Sequence, residues 1–277
     1  MPVYEGNIQK MRAQLPEDGG VVQYQLPVGD ERIPMNPLIG APVKLEHTGA
    51  IHCAHCGRTT KKSFNQGYCY PCFQRLAQCD LCIVSPERCH FAQGTCREPD
   101  WGRAHCFIGH TVYLANASGL KVGITRDTQI PTRWMDQGAV QALPVFRVAN
   151  RYQSGLVEVL CKDHVADRTD WRKLLRGEPE PLDLAAERDA LYAATEAGRA
   201  DLRDRFGDAA IKRVGDGAVT TIRYPVTAYP EKVKSFNLDK QGVAEGLLMG
   251  IKGQYLIFDT GVINLRKYGG YRLRLVV

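Results

Sequence analysis

Cysteine carries the strongest chemical signal in this chain. Nine of the ten cysteines fall between Cys53 and Cys106. Cys53-x2-Cys56 and Cys69-x2-Cys72 are separated by twelve residues. This is the zinc-ribbon spacing: each CxxC turn aims two thiolates at one ion, and a tetrahedral Zn²⁺ takes four. Gly57 and Gly67 relieve the tight turns beside these ligands, and His52 and His55 flank the first turn as bystanders. A second set follows, with Cys79-x2-Cys82, then Cys89, Cys96 and Cys106, and with His90 and His105 adjacent. Cys79 and Cys82 with two of Cys89, Cys96 and Cys106 would close a second tetrahedral site. Two knuckle-like pairs in succession favour zinc there, although an iron–sulfur cluster also accepts four thiolates. Sites closed by four thiolates are structural, not catalytic.

Charge is the second signal. The chain carries a net +6, and residues 203–277 hold 13 Lys or Arg against 7 Asp or Glu, a difference of 13 − 7 = +6. The whole excess therefore lies in the C-terminal quarter. Lys252, Arg266, Lys267, Arg272 and Arg274 are interleaved there with Tyr255, Phe258, Tyr268 and Tyr271. Basic and aromatic residues on one β surface suit a nucleic-acid strand, through phosphate contact and base stacking. A solvated edge strand defended by Lys and Arg has the same composition.

The elements that must position these residues are short. Residues 1–50 read as strands, including Val21 to Leu26 and Pro42 to Glu46. The cysteine-rich stretch has few aliphatic residues, so a metal must replace the core it cannot build. From residue 110 the pattern becomes a compact alternation. Thr111 to Ala115 is a strand, Asn116 to Gly119 a turn, and Leu120 to Thr125 a second strand. Pro131 opens a short helix through Trp134 and Gln137, and Gly138 stops it. Leu143 to Ala149 is a third strand. Ser154 caps a helix on which Val157, Leu160, Cys161, His164 and Val165 recur at helical spacing. Cys161 is a small core residue of that helix. Glu178-Pro179-Glu180-Pro181 is a stiff linker, Leu182 to Phe206 a charged helix, and the last sixty residues return to glycine-punctuated strands.

The β-β-α-β-α stretch from 110 to 176 resembles the GIY-YIG nuclease superfamily. Thr111-Val112-Tyr113 stands where GIY would and keeps the tyrosine; Lys121-Val122-Gly123 stands where YIG would and keeps only the glycine. Arg133 matches the arginine of the following helix, and Glu158 the metal-binding glutamate. The resemblance implies that Glu158 binds Mg²⁺ or Mn²⁺ to polarise a scissile phosphate. It also implies that Arg133 balances transition-state charge and that Tyr113 orients or deprotonates the attacking water. Lys121, in place of the second tyrosine, would hold a phosphate or assist the base. Singly, these residues have plainer readings: Tyr113 as a half-buried strand aromatic, Arg133 paired with Asp136, Glu158 paired with Lys162 at i, i+4. The wider chain also resembles the bacterial DUF2797 family over nearly its full length, through KSFNQGYCYPCF, GTCREPDWGRAHC, VYLANASGLKVGITR, TRWMDQGA and GIKGQYLIFDTGVINLR.

These observations predict an α+β protein in five stretches. They are an N-terminal β segment (1–50), a double zinc-binding module (51–107), a GIY-YIG-like domain (108–177), a linker with a charged helix (178–206) and a basic β segment (207–277). The two terminal β segments are expected to close into one small barrel. No run of 18 apolar residues occurs, which excludes a membrane-spanning helix. The polar N-terminus and the CxxC pairs lead us to expect a reducing cytoplasm. The expected partner is DNA or RNA, cut with a divalent ion or bound without cutting. The alternative is a zinc-stapled adaptor for another protein.

Overall fold

The computed structural model describes residues 2–215 and 217–277. It has the α+β class expected from the sequence. The chain begins with β1 (Val3–Asn7) and a small sheet of β2 (Arg12–Gln14), β3 (Gln23–Val28) and β4 (Glu31–Pro34), followed by the long β5 (Pro42–Ile51). The cysteine-rich stretch contributes only α1 (Tyr70–Arg75), a succession of short 3-10 turns and α2 (Pro99–Cys106).

The central stretch forms β6 (His110–Asn116), β7 (Leu120–Arg126), α3 (Thr132–Asp136), β8 (Gln141–Val148) and α4 (Arg151–Lys162). This is the β-β-α-β-α order read from the sequence. The α4 cap differs from expectation: the Asn150 side chain accepts from the Gln153 N–H at 2.9 Å, four residues ahead of Ser154. An Asn in extended backbone satisfies an orphan donor of the first turn, which Ser154, already inside the helix, cannot do. After α5 (Trp171–Leu174), the expected single charged helix is two, α6 (Leu184–Ala194) and α7 (Glu196–Phe206), divided at Thr195. Leu184, Leu191 and Tyr192 bury one face of α6 in the core beside β8, and Leu202 of α7 packs against the same core.

The strands β9 (Ile211–Arg213) and β10 (Thr220–Thr221) then pair with β8, so the central sheet runs β10-β8-β6-β7 with β9 also on β8. A short α8 (Leu238–Gln241) precedes β11 (Val243–Lys252), β12 (Tyr255–Phe258), β13 (Val262–Asn264) and β14 (Tyr271–Val276). The two ends of the chain meet, with Val3 opposite Val276 and Asn7 opposite Arg272 in the β1–β14 pair.

The expected barrel does not form. The terminal strands make an open six-stranded antiparallel sheet in the order β1-β14-β5-β11-β12-β13. Both of its edges are occupied by other segments, which prevents closure. Beyond β1, Ile8 bridges Val28 of the small sheet; beyond β12, Val262 of β13 bridges Ser235. Edges covered in this way need no barrel to protect them.

Strand β6 is buried at all seven positions and divides the interior. Val112 and Leu114 point into a core with Val157 and Cys161 of α4 and Leu191 of α6. Tyr113 and Ala115 point into the larger core, with Trp134 and Met135 of α3 and the inner faces of the terminal sheet. The alternation follows from the two-residue period of a strand. Ile8, fully buried in the larger core, ties the N-terminus to it. Ile8→Ala should therefore destabilise the protein by about 2–5 kcal/mol in urea unfolding, as buried truncations that leave a cavity do. A loss within the roughly 0.5 kcal/mol of a surface substitution would show that the N-terminal strand is not part of the cooperative fold.

Candidate functional site

Where β7, α3 and α4 approach one another, a cleft of about 820 Å³ opens beside the cysteine-rich stretch. The strand register sets its floor. Tyr113 lies opposite Gly123, and a Cβ at position 123 would come within 2.7 Å of the tyrosine hydroxyl. Glycine there gives the Tyr113 ring room to lie across β7. The hydroxyl donates to Gln137 Oε1 at 2.9 Å, and Lys121 Nζ donates to the same oxygen at 2.6 Å. Gln137, at the end of α3, thus joins the two motif residues. Nothing in the sequence marks it as the shared acceptor.

Lys121, Arg133 and Glu158 line the cleft, and Tyr113 lies beneath them, fully buried. Burial pushes the Tyr113 phenol up to about 12, although the Arg133 charge opposes this. Burial pulls the Lys121 ammonium down to about 8, and Arg133 adds to the effect while Glu158 opposes it. Burial also raises the Glu158 carboxyl, against the pull of Lys162. Glu158 stands 3.7 Å from Lys162, as its plainer reading anticipated. The plainer reading of Arg133 is different: Asp136 turns instead to Lys10 at 2.5 Å and to Gln254 at 2.9 Å.

The cleft is cationic. Lys10, Lys121, Arg126, Arg133, Arg151 and Arg266 line it against Asp136, Glu158 and Asp167. Among the described residues, Arg126, Arg133, Arg151 and Arg266 have no carboxylate at ion-pair distance. Converging cations with few counter-charges form an electrostatic site for a polyanion. Arg126 and Arg151 were not singled out in the sequence, because neither lies in a charge run.

The basic C-terminal residues do not form the surface expected of them. Lys252 is fully buried, with Nζ 3.1 Å from the Gly177 carbonyl and stacked over Tyr229, and burial lowers it to about 8. Arg272 and Arg274 project from the outer face of β14 and pair with Glu5 of the neighbouring strand, at 3.1 and 3.3 Å. Lys267 lies over the Tyr268 ring. Phe258, Tyr268 and Tyr271 are buried in the larger core, where no base can stack on them. On β14 the interleaving is a strand pattern, with the Tyr271 ring inward and the Arg272 and Arg274 charges outward. Only Arg266, which donates to Gln66 Oε1 at 2.7 Å, reaches the cleft.

The first cysteine set assembles as expected. The four sulfurs of Cys53, Cys56, Cys69 and Cys72 lie within 4.8 Å of one another. Cys56 Sγ and Cys69 Sγ are 3.7 Å apart, close to the ~3.8 Å edge of a tetrahedron with zinc–sulfur bonds of about 2.3 Å. The Cys53 N–H donates to Arg58 O, and Gly57, with φ at +72°, returns its N–H to Cys53 O, closing the first turn. Cys69 precedes α1, whose first turn carries Cys72. This tetrad can hold one zinc ion.

The second set is divided differently from the sequence expectation. Cys79 packs with Cys53, Cys69, Cys72 and Leu76 behind the first tetrad. Cys82 faces a separate small cavity with Cys89, Cys96 and Cys106. Cys79 and Cys82 therefore do not act as a pair. The cause is local: two successive 3-10 turns, Ala77–Cys79 and Leu81–Ile83, turn the thiols to opposite sides. Asp80 between them caps the second turn through the Cys82 N–H and binds Arg97 at 2.6 Å.

The fold and the site define an α+β protein with a four-cysteine metal site beside a cationic cleft. A family model described as "Protein of unknown function (DUF2797)" matches residues 40–273, and the chain belongs to this family. No curated protein and no solved structure matches it. Among the described residues, no helix is long and apolar enough to cross a membrane.

The tetrad geometry leads to a direct test. Cys53→Ala or Cys72→Ala should remove one equivalent of zinc, read by elemental analysis, and open residues 51–80 to protease. Unchanged zinc content in both variants would refute the tetrad as the zinc site.

Proposed function

We propose that the cleft binds the phosphodiester backbone of DNA or RNA and cuts it with a divalent ion held by Glu158. The observation that carries the reading is the convergence of six cationic side chains against three carboxylates, Glu158 among them, on a β-β-α-β-α framework resembling the GIY-YIG nucleases. Glu158 suits a cation chemically, because burial raises its pKa and a positive ion would relieve that cost. Mg²⁺ or Mn²⁺ bound there would polarise the scissile phosphate. Arg133 lacks a carboxylate partner and is placed to neutralise charge developing on the phosphate oxygens. Lys121, held by Gln137, is a cation at neutral pH and grips a neighbouring phosphate. Tyr113 fixes the Gln137 carbonyl and so orients Lys121.

A second reading, binding without cleavage, has its own support. The Tyr113 hydroxyl is committed to Gln137, and Glu158 already faces Lys162.

The protein incubated with labelled single- and double-stranded DNA and RNA, with Mg²⁺, Mn²⁺ or EDTA, separates these readings. Cleavage that requires the divalent ion and disappears in Glu158→Ala is the expected result. Binding without cleavage, unchanged in Glu158→Ala, would leave the cleft a recognition site. An absence of binding at 50 mM salt would reject both.

Two further outcomes follow from the charges. Arg133→Ala should weaken binding and reduce the slope of log K against log salt by about 1, as loss of one phosphate contact does. Lys121 is cationic below about pH 8 and neutral above it. Affinity should therefore fall as pH rises from 7 to 9, and Lys121→Met should flatten that fall; a wild-type profile that stays level would show that Lys121 does not touch phosphate.

A further inference from the structure

The second cysteine set poses a physical problem that the cleft does not address. From residue 80 to 100 the chain has no strand, and Pro86 is its one buried residue. Its order comes from short 3-10 turns that present Cys82, Cys89 and Cys96 in succession, and Cys106 follows at the end of α2. The spacing is Cys82-x6-Cys89-x6-Cys96-x9-Cys106. All four are free thiols, and they line one small cavity with Phe91, Trp101 and Phe107. A segment without an apolar core that turns four thiols toward one space is organised around what fills that space.

Size and donor type select what that is. The cavity measures about 20 Å³, and one water-sized particle needs about 10–15 Å³. A single ion fits there, and a polynuclear cluster does not. Four thiolates closing one site suit Zn²⁺ and its tetrahedral coordination. Asp80 and His90 also face the cavity, within 4.8 Å of the Cys82 thiol, but both are committed to other partners. The Asp80 carboxylate takes Arg97 at 2.6 Å and the Cys82 N–H at 3.2 Å. His90 Nδ1 lies 2.7 Å from Thr95 Oγ1, and its Nε2 lies 3.5 Å from Asp80. His105 stacks on Trp101, and its Nδ1 donates to the Trp101 carbonyl at 2.9 Å. The four thiols are therefore the donors that a metal would take.

We propose that Cys82, Cys89, Cys96 and Cys106 bind a second zinc ion, separate from the site of the first tetrad and without Cys79. Binding draws the four sulfurs, carried on separate short turns, to about 3.8 Å from one another by rotation about their Cα–Cβ bonds. The resulting centre is anionic, and two arginines are placed to offset it. Arg97 lines the cavity, and Arg151 Nη2 donates at 2.5 Å to the carbonyl of Ile83, next to Cys82. Aromatic rings keep water from the site, with the Phe91 and Phe107 centroids 4.4 Å apart. Gly102 lets α2 lie close against it, since a Cβ there would stand 3.4 Å from Cys96 Sγ and from the Phe91 ring. The ion also braces the cleft. Ile83 lines both spaces. Pro86 and Glu87, between Cys82 and Cys89, press on α4 at Gly155, where a Cβ would lie 2.6 Å from the Glu87 nitrogen. The zinc-bound turns thus hold the helix that carries Glu158. None of this depends on what the cleft binds.

The test is the zinc content of the full-length protein, read by elemental analysis, together with the protection of each cysteine from alkylation, read by mass spectrometry. Two zinc ions per chain are expected in the wild type. Cys96→Ser and Cys106→Ser should fall to one, with Cys53, Cys56, Cys69 and Cys72 still protected, which also reports that the variants fold. In Cys79→Ser and His90→Gln the thiols of Cys82, Cys89, Cys96 and Cys106 should stay protected. Graded chelation of the wild type should expose these four together as one equivalent of zinc leaves, a readout that needs no variant to fold. A single zinc per chain held by the first tetrad would overturn the proposal. So would a second ion retained in Cys106→Ser, the four thiols exposed in Cys79→Ser or His90→Gln, or iron with acid-labile sulfide in place of the second zinc.

Discussion

Burial of β6 on both faces is the constraint from which the rest of this structure follows. A strand with all seven residues enclosed must have hydrogen-bonded neighbours on both edges and packing on both sides. β7 and β8 supply the edges. One face is covered by α4 and α6, the other by α3 and the terminal sheet. Because successive side chains alternate, Val112 and Leu114 anchor one core while Tyr113 anchors the other. The helices that bring Arg133 and Glu158 to the cleft are therefore fixed by the same strand that carries Tyr113.

The cleft is electrostatically unbalanced by design of the packing. Several of its cations are partly desolvated, and their mutual repulsion is visible in the lowered Lys121, Arg151 and Arg266 pKa values, where burial leads and Arg133 contributes. Such an arrangement costs stability, and a bound polyanion would relieve it. Elsewhere the protein neutralises its surface charge locally, as Arg272 and Arg274 do on Glu5. The contrast between paired and unpaired arginines separates scaffold from site better than a count of charges does.

The cysteine-rich stretch replaces an apolar core with thiols. Its two sets differ in packing: the first is tight and mostly buried, the second wider and lined by rings. Through Ile83, Pro86 and Gly155 the second set also becomes part of the cleft wall. The cysteine-rich turns and the geometry of the cleft are then parts of one structure.

Local chemistry was legible in the sequence. The Cys53, Cys56, Cys69 and Cys72 spacing defines its tetrad because two short turns confine each thiol pair. The β-β-α-β-α order could be read because strand and helix periods are local properties of the chain. Long-range matters were not. Whether Lys252 and Tyr271 face solvent depends on which sheet face is covered, and a strand pattern reads the same in either case. The barrel failed because edge pairing by Ile8 and Ser235 involves residues outside the strands themselves. Cys79 and Cys82 share a CxxC spacing, yet two 3-10 turns send them to different sites. The meeting of Lys121 and Tyr113 at Gln137, and of Arg126, Arg151 and Arg266 at one cleft, required the packed fold. Residue type and spacing determine which groups are available, and only tertiary burial decides which of them are desolvated together.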